Sequence, residues 1–182
     1  MERVSKMDEQ EKRKKRCCFT GHRPEKMSVP SQVVKAGLAR AIDEAIRDGY
    51  RTFISGMSRG TDIWAAQIVL DRKRTLPDIH LILAIPYPYF ESGWGTEWQY
   101  QYRQVLSQAD LVRYIQPSFS RSCFQQRNMW MVLHASRVIA VYNGSAGGTR
   151  NTIEFALRKN VDVRSVLNMT DESRDNCGDL YE

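Results

Sequence analysis

Six short apolar segments alternate along the chain with longer segments whose apolar residues recur at helical spacing, and this alternation constrains the fold most strongly. The apolar segments, each a predicted strand, are residues 17–20, 51–54, 80–85, 111–115, 138–142 and 161–167. Residues 80–85 (HLILAI) are almost wholly apolar, which is typical of a parallel strand covered on both faces. Strand–helix–strand units of this length form right-handed crossovers between parallel strands. The alternation therefore predicts an α/β domain with a doubly wound, mostly parallel sheet and helices on both faces.

The charged ends of the chain contrast with its central part. Residues 1–16 lack apolar periodicity and end in a basic run, which predicts a disordered basic arm. Residues 17–167 hold every predicted strand and suit one ligand-binding domain in length, and residues 168–182 are predicted to form a polar acidic tail. We find no run of about 18 apolar residues and no apolar leader, so we expect a cytoplasmic protein without a membrane partner.

The composition favours an anionic ligand and does not indicate a metal centre. The chain has 27 Lys and Arg against 21 Asp and Glu, and its net charge of +6 suits a nucleotide or a nucleic acid. Its four cysteines and three histidines lack the spacing of zinc ligands or of a disulfide framework, so we expect no bound metal. Cys17 and Cys18 are adjacent in a predicted strand and should point to opposite faces of the sheet.

Ligands of parallel sheets bind beyond the carboxyl ends of the strands, so the strand-to-helix turns are the predicted site. The first such turn is SGMSRGTD at 55–62. Gly56 and Gly60 let an anion approach backbone N–H groups, and the following helix adds the positive end of its dipole. Asp62 could cap that helix and accept a ribose hydroxyl, whereas capping without a ligand is the alternative. The predicted ligand contacts in this turn are Ser55, Gly56, Ser58, Arg59, Gly60, Thr61 and Asp62.

A second turn, NGSAGGT at 143–149, also joins a predicted strand to a predicted helix. Its three glycines and two hydroxyl residues favour phosphate binding, although a plain flexible loop is the alternative. Because the carboxyl ends of parallel strands meet at one edge of the sheet, we expect both turns to lie together. The predicted ligand contacts in the second turn are Asn143, Gly147, Gly148 and Thr149.

Two further polar segments add candidate ligand contacts. After the first strand, Gly21 and His22 precede Arg23, whose guanidinium can bind a phosphate through two parallel hydrogen bonds. Arg127 and Asn128 are polar residues within an otherwise apolar predicted helix. A structural role for His22 and a surface position for Arg127 are the alternatives.

Aromatic residues crowd the loop that follows the third predicted strand. Tyr87, Trp94 and Trp98 are candidates for stacking on a nucleobase. A lid over the site and a dimer contact are the alternatives, and the dimer contact would make the protein a homo-oligomer.

Taken together, these motifs resemble the YpsA-like branch of the SLOG superfamily, which also includes the LOG phosphoribohydrolases and the DNA-processing protein DprA. The resemblance implies a Rossmann-like fold and a nucleotide-derived ligand. It rests on TGHRP at 20–24, GMSRGTD at 56–62, Trp94 and Trp98, Arg127 with Asn128, GGT at 147–149 and EFA at 154–156.

The similarity to the LOG enzymes implies two candidate catalytic residues. Arg127 and Glu154 fall at the positions of the LOG arginine and glutamate. On the enzyme hypothesis Arg127 would hold the 5′-phosphate, and Glu154 would stabilise the positive charge that develops on the ribose. The neighbours differ from the LOG pattern, however, with Gln126 before the arginine and Ala146 before the glycines, and these departures favour binding over catalysis.

The resemblance and the motifs together predict a domain that binds or senses a phosphate-bearing, nucleotide-derived metabolite, such as an ADP-ribose-like or NAD-like molecule. This hypothesis requires no cofactor beyond the bound ligand. The first alternative is a nucleoside-monophosphate phosphoribohydrolase of the LOG type, which cleaves an N-glycosidic bond. The second is a DprA-like nucleic-acid-binding module, which the positive charge of the chain favours.

Overall fold

The computed structural model describes residues 8–167 and has a six-stranded parallel sheet at its centre. The strands are β1 (Arg16–Gly21), β2 (Thr52–Ser55), β3 (His80–Ile85), β4 (Leu111–Tyr114), β5 (Arg137–Val141) and β6 (Asp162–Ser165). The helices are α1 (Glu9–Lys14), α2 (Ser31–Arg47), α3 (Thr61–Lys73), α4 (Thr96–Leu106), α5 (Cys123–Leu133) and α6 (Gly148–Arg158), with a short 3₁₀ helix at Pro24–Lys26. Each strand that the sequence predicted is present, with ends that differ by at most two residues.

The strand order is β4-β3-β2-β1-β5-β6. The chain builds outward from β1 to β4 and then returns to the other side of β1, where it adds β5 and β6. This reversal makes the sheet doubly wound and confirms the predicted fold class. β1 and β5 pair along their length, with Cys17 opposite Arg137 and Gly21 opposite Val141, so their carboxyl ends lie side by side at the switch point of the topology.

Apolar layers cover both faces of the sheet. Helices α2, α3 and α4 pack on the face that carries Phe19 and Phe53, and α5 and α6 pack on the opposite face. Cys17 lies in the first layer and Cys18 in the second, as the alternation of a strand predicts. Because both faces are covered, β3 is apolar at almost every position.

Helix α1 lies within the segment that the sequence predicted to be a disordered arm. The Asp8 side chain caps this helix by accepting a hydrogen bond of 3.0 Å from the backbone N–H of Gln10. Nε of Arg13 donates to the carbonyl of Ala135 at 3.0 Å and so ties the helix to the domain. The prediction of disorder is therefore wrong for α1, because the contact that fixes the helix is remote in sequence.

The first seven residues and residues 168–182, which include the predicted acidic tail and Cys177, lie outside the described part of the chain. Within residues 8–167, no helix is long and apolar enough to cross a membrane. The same residues contain no group of three His, Cys, Asp or Glu side chains placed to hold a metal ion.

Candidate ligand-binding site

A cavity of about 250 Å³, the first cavity, opens beyond the carboxyl ends of β1 and β5 at the switch point of the sheet. Four segments that are distant in sequence line it: the turn after β1, the start of α3, helix α5 and the turn before α6. The predicted ligand contacts that the structure brings there are Gly21, His22, Arg23, Asp62, Arg127, Asn128, Gly147, Gly148 and Thr149. Five further residues complete the lining, and these are Phe19, Thr20, Lys26, Phe124 and Ala146.

A buried guanidinium and a buried carboxylate meet at the wall of the first cavity. Arg127 on α5 is 4% exposed and Asp62 in the first turn of α3 is 6% exposed, with 3.7 Å between Nη1 and Oδ2. Arg127 also donates from Nη1 to the Gly56 carbonyl, from Nη2 to Oγ of Ser58 at 3.1 Å and from Nε to Oδ1 of Asn128 at 2.8 Å. Each guanidinium nitrogen thus has a partner within the protein, and Arg127 holds the turn before α3 in place.

Burial shifts the pKa of each member of this pair in the direction that favours its neutral form. Burial raises the pKa of the Asp62 carboxyl, while the charge of Arg127 and the N–H of Ser58 oppose that shift. Burial likewise lowers the pKa of the Arg127 guanidinium, and the charge of Asp62 opposes it. Each group is the counter-charge of the other, so removal of either one leaves a buried charge uncompensated.

The turn between β2 and α3 supports the first cavity more than it lines it. Oγ of Ser55 donates to the Asp62 carbonyl at 2.9 Å and accepts from the N–H of Met57 at 3.2 Å. At Gly60, φ is 87° and a Cβ would lie 2.8 Å from Cδ of Pro24, so glycine is required at this position. Of the ligand contacts predicted in this turn, only Asp62 reaches the cavity, and those that do not are Ser55, Gly56, Ser58, Arg59, Gly60 and Thr61.

His22 connects the turn after β1 to the turn before α6. The residue is 5% exposed, and its Nε2 lies 3.4 Å from the backbone nitrogen of Asn143 and 3.5 Å from Oγ of Ser145. Its carbonyl accepts a hydrogen bond of 3.2 Å from Oγ1 of Thr61. Burial lowers the pKa of His22 below its ordinary value of 6.5, which favours the neutral ring that can accept the Asn143 N–H. His22 therefore positions the glycine-rich turn.

The glycine-rich turn brings the N-terminus of α6 to the first cavity. Gly147 precedes the helix with φ at 142°, a conformation that favours glycine. Gly147, Gly148 and Thr149 all line the cavity, and the first backbone N–H groups of a helix have no partner within the helix. Asn143, the fourth predicted contact of this turn, does not line the cavity, because its Nδ2 donates to the carbonyl of Lys26 at 2.9 Å.

Two exposed cations stand at the rim of the first cavity. Arg23 and Lys26 both line it, and neither forms an ion pair with any residue between 8 and 167. Glu25, the acid between them in sequence, is instead paired with Arg59. The guanidinium and ammonium groups are therefore available to an anion in the cavity. Lys26 was not predicted from the sequence, although it lies three residues after Arg23 and the intervening 3₁₀ helix places such positions on one side.

A second cavity of about 360 Å³ lies between α5 and α6. Glu154 lines this second cavity and not the first, whereas Arg127 lines the first and not the second. The Glu154 carboxylate accepts a hydrogen bond of 2.8 Å from Nε of Arg150. The structure thus places the two candidate catalytic residues in neighbouring cavities, and it engages Glu154 in a surface ion pair.

The aromatic residues predicted to stack on a base do not line the first cavity. Tyr87, Trp94 and Trp98 pack against the apolar layer on the α3 and α4 side of the sheet, and Trp98 lies 6.0 Å from Trp64 between ring centroids. The structure therefore does not bring these three rings to the first cavity, because they pack against the apolar layer instead. Phe124 lines the cavity instead. Phe124 lies three residues before Arg127 on the same helix, and residues at this spacing share one side of a helix, so the sequence could have indicated that Phe124 accompanies Arg127.

The fold and the cavity place the protein in the class of Rossmann-like α/β domains, with a polar cavity at the switch point of a doubly wound sheet. A family model described as the YspA SLOG family (YpsA) matches residues 17–168, which is most of the chain. The protein belongs to this family.

Two relatives in sequence span most of the domain. The SPbeta prophage-derived protein YoqJ of Bacillus subtilis (strain 168) is 30% identical over 136 residues, which cover 68% of this chain and 80% of YoqJ. A UPF0398 protein of Bacillus thuringiensis (strain Al Hakam) is 26% identical over 154 residues, which cover 80% of this chain and 84% of the relative.

Two solved structures share the fold at low sequence identity. DNA processing protein A (DprA) of Streptococcus pneumoniae superposes with a TM-score of 0.62 at 17% identity, over 84% of this chain and 50% of that protein. DprA of Helicobacter pylori, whose structure is described by its single-stranded DNA binding mode, gives a TM-score of 0.60 at 18% identity, over 82% and 64% of the two chains. This chain therefore spans half to two thirds of these neighbours.

Proposed function

We propose that this domain binds a phosphate-bearing, nucleotide-derived metabolite in the first cavity. One observation carries the proposal: the N-terminus of α6 and the two rim cations, Arg23 and Lys26, face the same cavity. A helix N-terminus offers unpaired N–H groups and the positive end of the dipole to a phosphate. Arg23 can add two parallel hydrogen bonds, and Lys26 adds a point charge.

The opposite wall of the first cavity suits the sugar of a nucleotide. Asp62 lines the cavity, and Arg127 and the Ser58 N–H hold its carboxylate in position. A carboxylate fixed in this way is an acceptor for a ribose hydroxyl. Arg127 already donates to three protein groups, so its main role in the proposal is to position Asp62 and the turn before α3.

Thermal unfolding and calorimetry with a ligand panel test the proposal. The panel contains inorganic phosphate, ribose 5-phosphate, AMP, ADP-ribose and NAD. A ligand at about 100 times its Kd should stabilise the fold by roughly 2.7 kcal/mol, which raises Tm by about 2–4 °C per kcal/mol for a domain of this size. Arg23→Ala should weaken binding at least about 10-fold, because it removes a charge-assisted hydrogen bond.

Arg74→Ala is the matched control, since Arg74 is exposed and lies outside both cavities. Its affinity for the ligand should equal that of the wild type. If no member of the panel raises Tm or produces heat on titration, metabolite binding in this cavity is rejected.

Single-stranded DNA is the second candidate ligand, and the structural neighbours favour it. The Helicobacter pylori neighbour is described by its single-stranded DNA binding mode, and the net charge of +6 on this chain suits a polyanion. A labelled oligothymidylate followed by fluorescence anisotropy tests this candidate. Affinity that falls steeply between about 50 and 200 mM salt would support it, and lack of binding at the lower salt concentration would exclude it.

A further inference from the structure

The second cavity adjoins the first and is lined differently. Phe124, Asn128 and Gly148 line both cavities, so a ligand in the first can extend into the second past these three residues. Apart from its chain neighbours and the backbone of its own helix, Gly148 has no atom within 4 Å of the position that a Cβ would occupy, so the space beside it is open.

The volumes favour a ligand that occupies both cavities. The first cavity, at about 250 Å³, lies below the usual range for small-molecule sites of roughly 300–1,000 Å³. The second cavity contributes about 360 Å³, and the two together lie well inside that range. A phosphate and a sugar alone would leave the larger cavity empty.

The lining of the second cavity suits a nucleobase. Phe124 on α5 and Phe155 on α6 provide aromatic surface, and such surface stacks on any base. The side-chain amides of Gln125, Asn128 and Asn151 offer both donors and acceptors to the edge of a base. The carboxylate in this cavity, Glu154, is already paired with Arg150, so it adds little net negative charge.

We propose that the second cavity is the nucleobase subsite of the ligand site, so that the ligand is a nucleotide whose phosphate lies at the α6 N-terminus and whose base lies between α5 and α6. This inference rests on the proposed function, because it needs an anion in the first cavity. It assigns the base-binding role to Phe124 and Phe155 in place of the aromatic loop after β3.

The test compares two ligands that differ only in the base, AMP and ribose 5-phosphate, on the wild type and on two variants. Wild-type protein should bind AMP more tightly than ribose 5-phosphate. Phe155→Ala should weaken AMP binding at least about fivefold, as loss of one base–aromatic stack does, and should leave the Kd for ribose 5-phosphate unchanged. Asn151→Ala alters an exposed residue of α6 and should act in the same direction if Phe155→Ala is poorly folded.

Tyr89→Ala is the matched control, because Tyr89 is 79% exposed and lies outside both cavities. The inference is overturned if wild-type protein binds both ligands equally, or if the variants weaken both ligands by the same factor. Either result would leave phosphate binding intact. Failure of wild-type protein to bind any member of the panel would instead reject the proposed function, so the two failures can be told apart.

Discussion

Arg127 lies against Gly56, and the contact leaves no room for a side chain at the glycine. A Cβ on Gly56 would lie 2.7 Å from Cζ of Arg127 and 2.9 Å from Oδ2 of Asp62. Glycine at position 56 is therefore a condition for the buried ion pair, because any larger residue would displace the guanidinium or the carboxylate.

Gly56→Ala should destabilise the protein by about 1–3 kcal/mol and weaken ligand binding, since overpacking at this position moves Arg127 and Asp62. Chemical denaturation gives the stability, and calorimetry gives the affinity. Gly93→Ala is the matched control, because a Cβ there meets no atom within 4 Å and should change neither quantity measurably. Wild-type stability in Gly56→Ala would contradict the close contact.

The Arg127–Asp62 pair should show strong coupling in a double-mutant cycle. Arg127→Met leaves the buried Asp62 carboxylate without its counter-charge and should cost about 3–5 kcal/mol of unfolding free energy. Asp62→Asn keeps an acceptor for the Ser58 N–H but leaves Arg127 uncompensated, so it should also destabilise the fold. The double variant should lose clearly less than the sum of the two, and effects that add within about 0.5 kcal/mol would contradict the pairing.

The fold was predictable because the signals for it are local. Because β3 is buried on both faces, its sequence is an apolar run. Because one face of α2 is covered, apolar residues recur along it at helical spacing. Two glycine-rich turns at strand ends then located the edge of the sheet where Asp62 and Gly147 meet one cavity.

The remainder of the site could not be predicted from the sequence, because it depends on contacts between distant segments. Trp94 in the loop after β3 and Phe124 on α5 look alike in sequence, and only packing decides which of them lines the cavity. Arg127 was predicted as a ligand contact, yet three of its hydrogen bonds go to the protein. The ordering of α1 likewise depends on a contact to Ala135, more than 100 residues away.

His22 should make the stability of the protein depend on pH near neutrality. Its pKa is lowered by burial, so the unfolded chain binds a proton more readily than the folded protein between the folded pKa and about 6.5. Stability should therefore fall as pH drops below about 6.5, and protonation also removes the acceptor for the Asn143 N–H. Tm measured from pH 7.5 to 5.5 should fall less steeply in His22→Gln than in the wild type.

The matched control for this pH dependence is His80→Gln, which changes an exposed histidine at the start of β3. Its Tm profile should follow that of the wild type. If His80→Gln flattens the profile and His22→Gln does not, the pH dependence does not arise from the buried ring.

Glu154 should not support cleavage of AMP. Its carboxylate is exposed on α6 and paired with Arg150. Chromatography after prolonged incubation of AMP with concentrated protein should detect no free adenine. Adenine release that disappears in Glu154→Gln would contradict this prediction and favour the LOG-type hydrolase. Glu154→Gln itself should change stability by less than about 1 kcal/mol, because exposed ion pairs contribute little.

A change at Arg137 tests the stability of the protein separately from ligand binding, because Arg137 lies at the amino end of β5 and the first cavity lies at the carboxyl end. It is 6% exposed and donates to Asp48 at 2.7 Å and to Asp162 at 2.8 Å. Burial alone would raise the pKa of Asp162, but hydrogen bonds from Arg164 and Arg137 hold it below its usual value. Asp162 therefore contributes stability above its unfolded pKa and loses it as pH falls through the lower folded value.

Arg137→Met should accordingly cost about 1–3 kcal/mol at neutral pH and reduce the loss of stability below about pH 4, while ligand affinity stays at the wild-type value. Urea denaturation at pH 7 and pH 3, together with calorimetry at pH 7, measures all three quantities. Arg164→Met is the control, since that exposed side chain contacts Asp162 but not Asp48. It should lose less stability than Arg137→Met. A drop in ligand affinity for Arg137→Met comparable to that for Arg23→Ala would show that the amino end of the sheet also shapes the site.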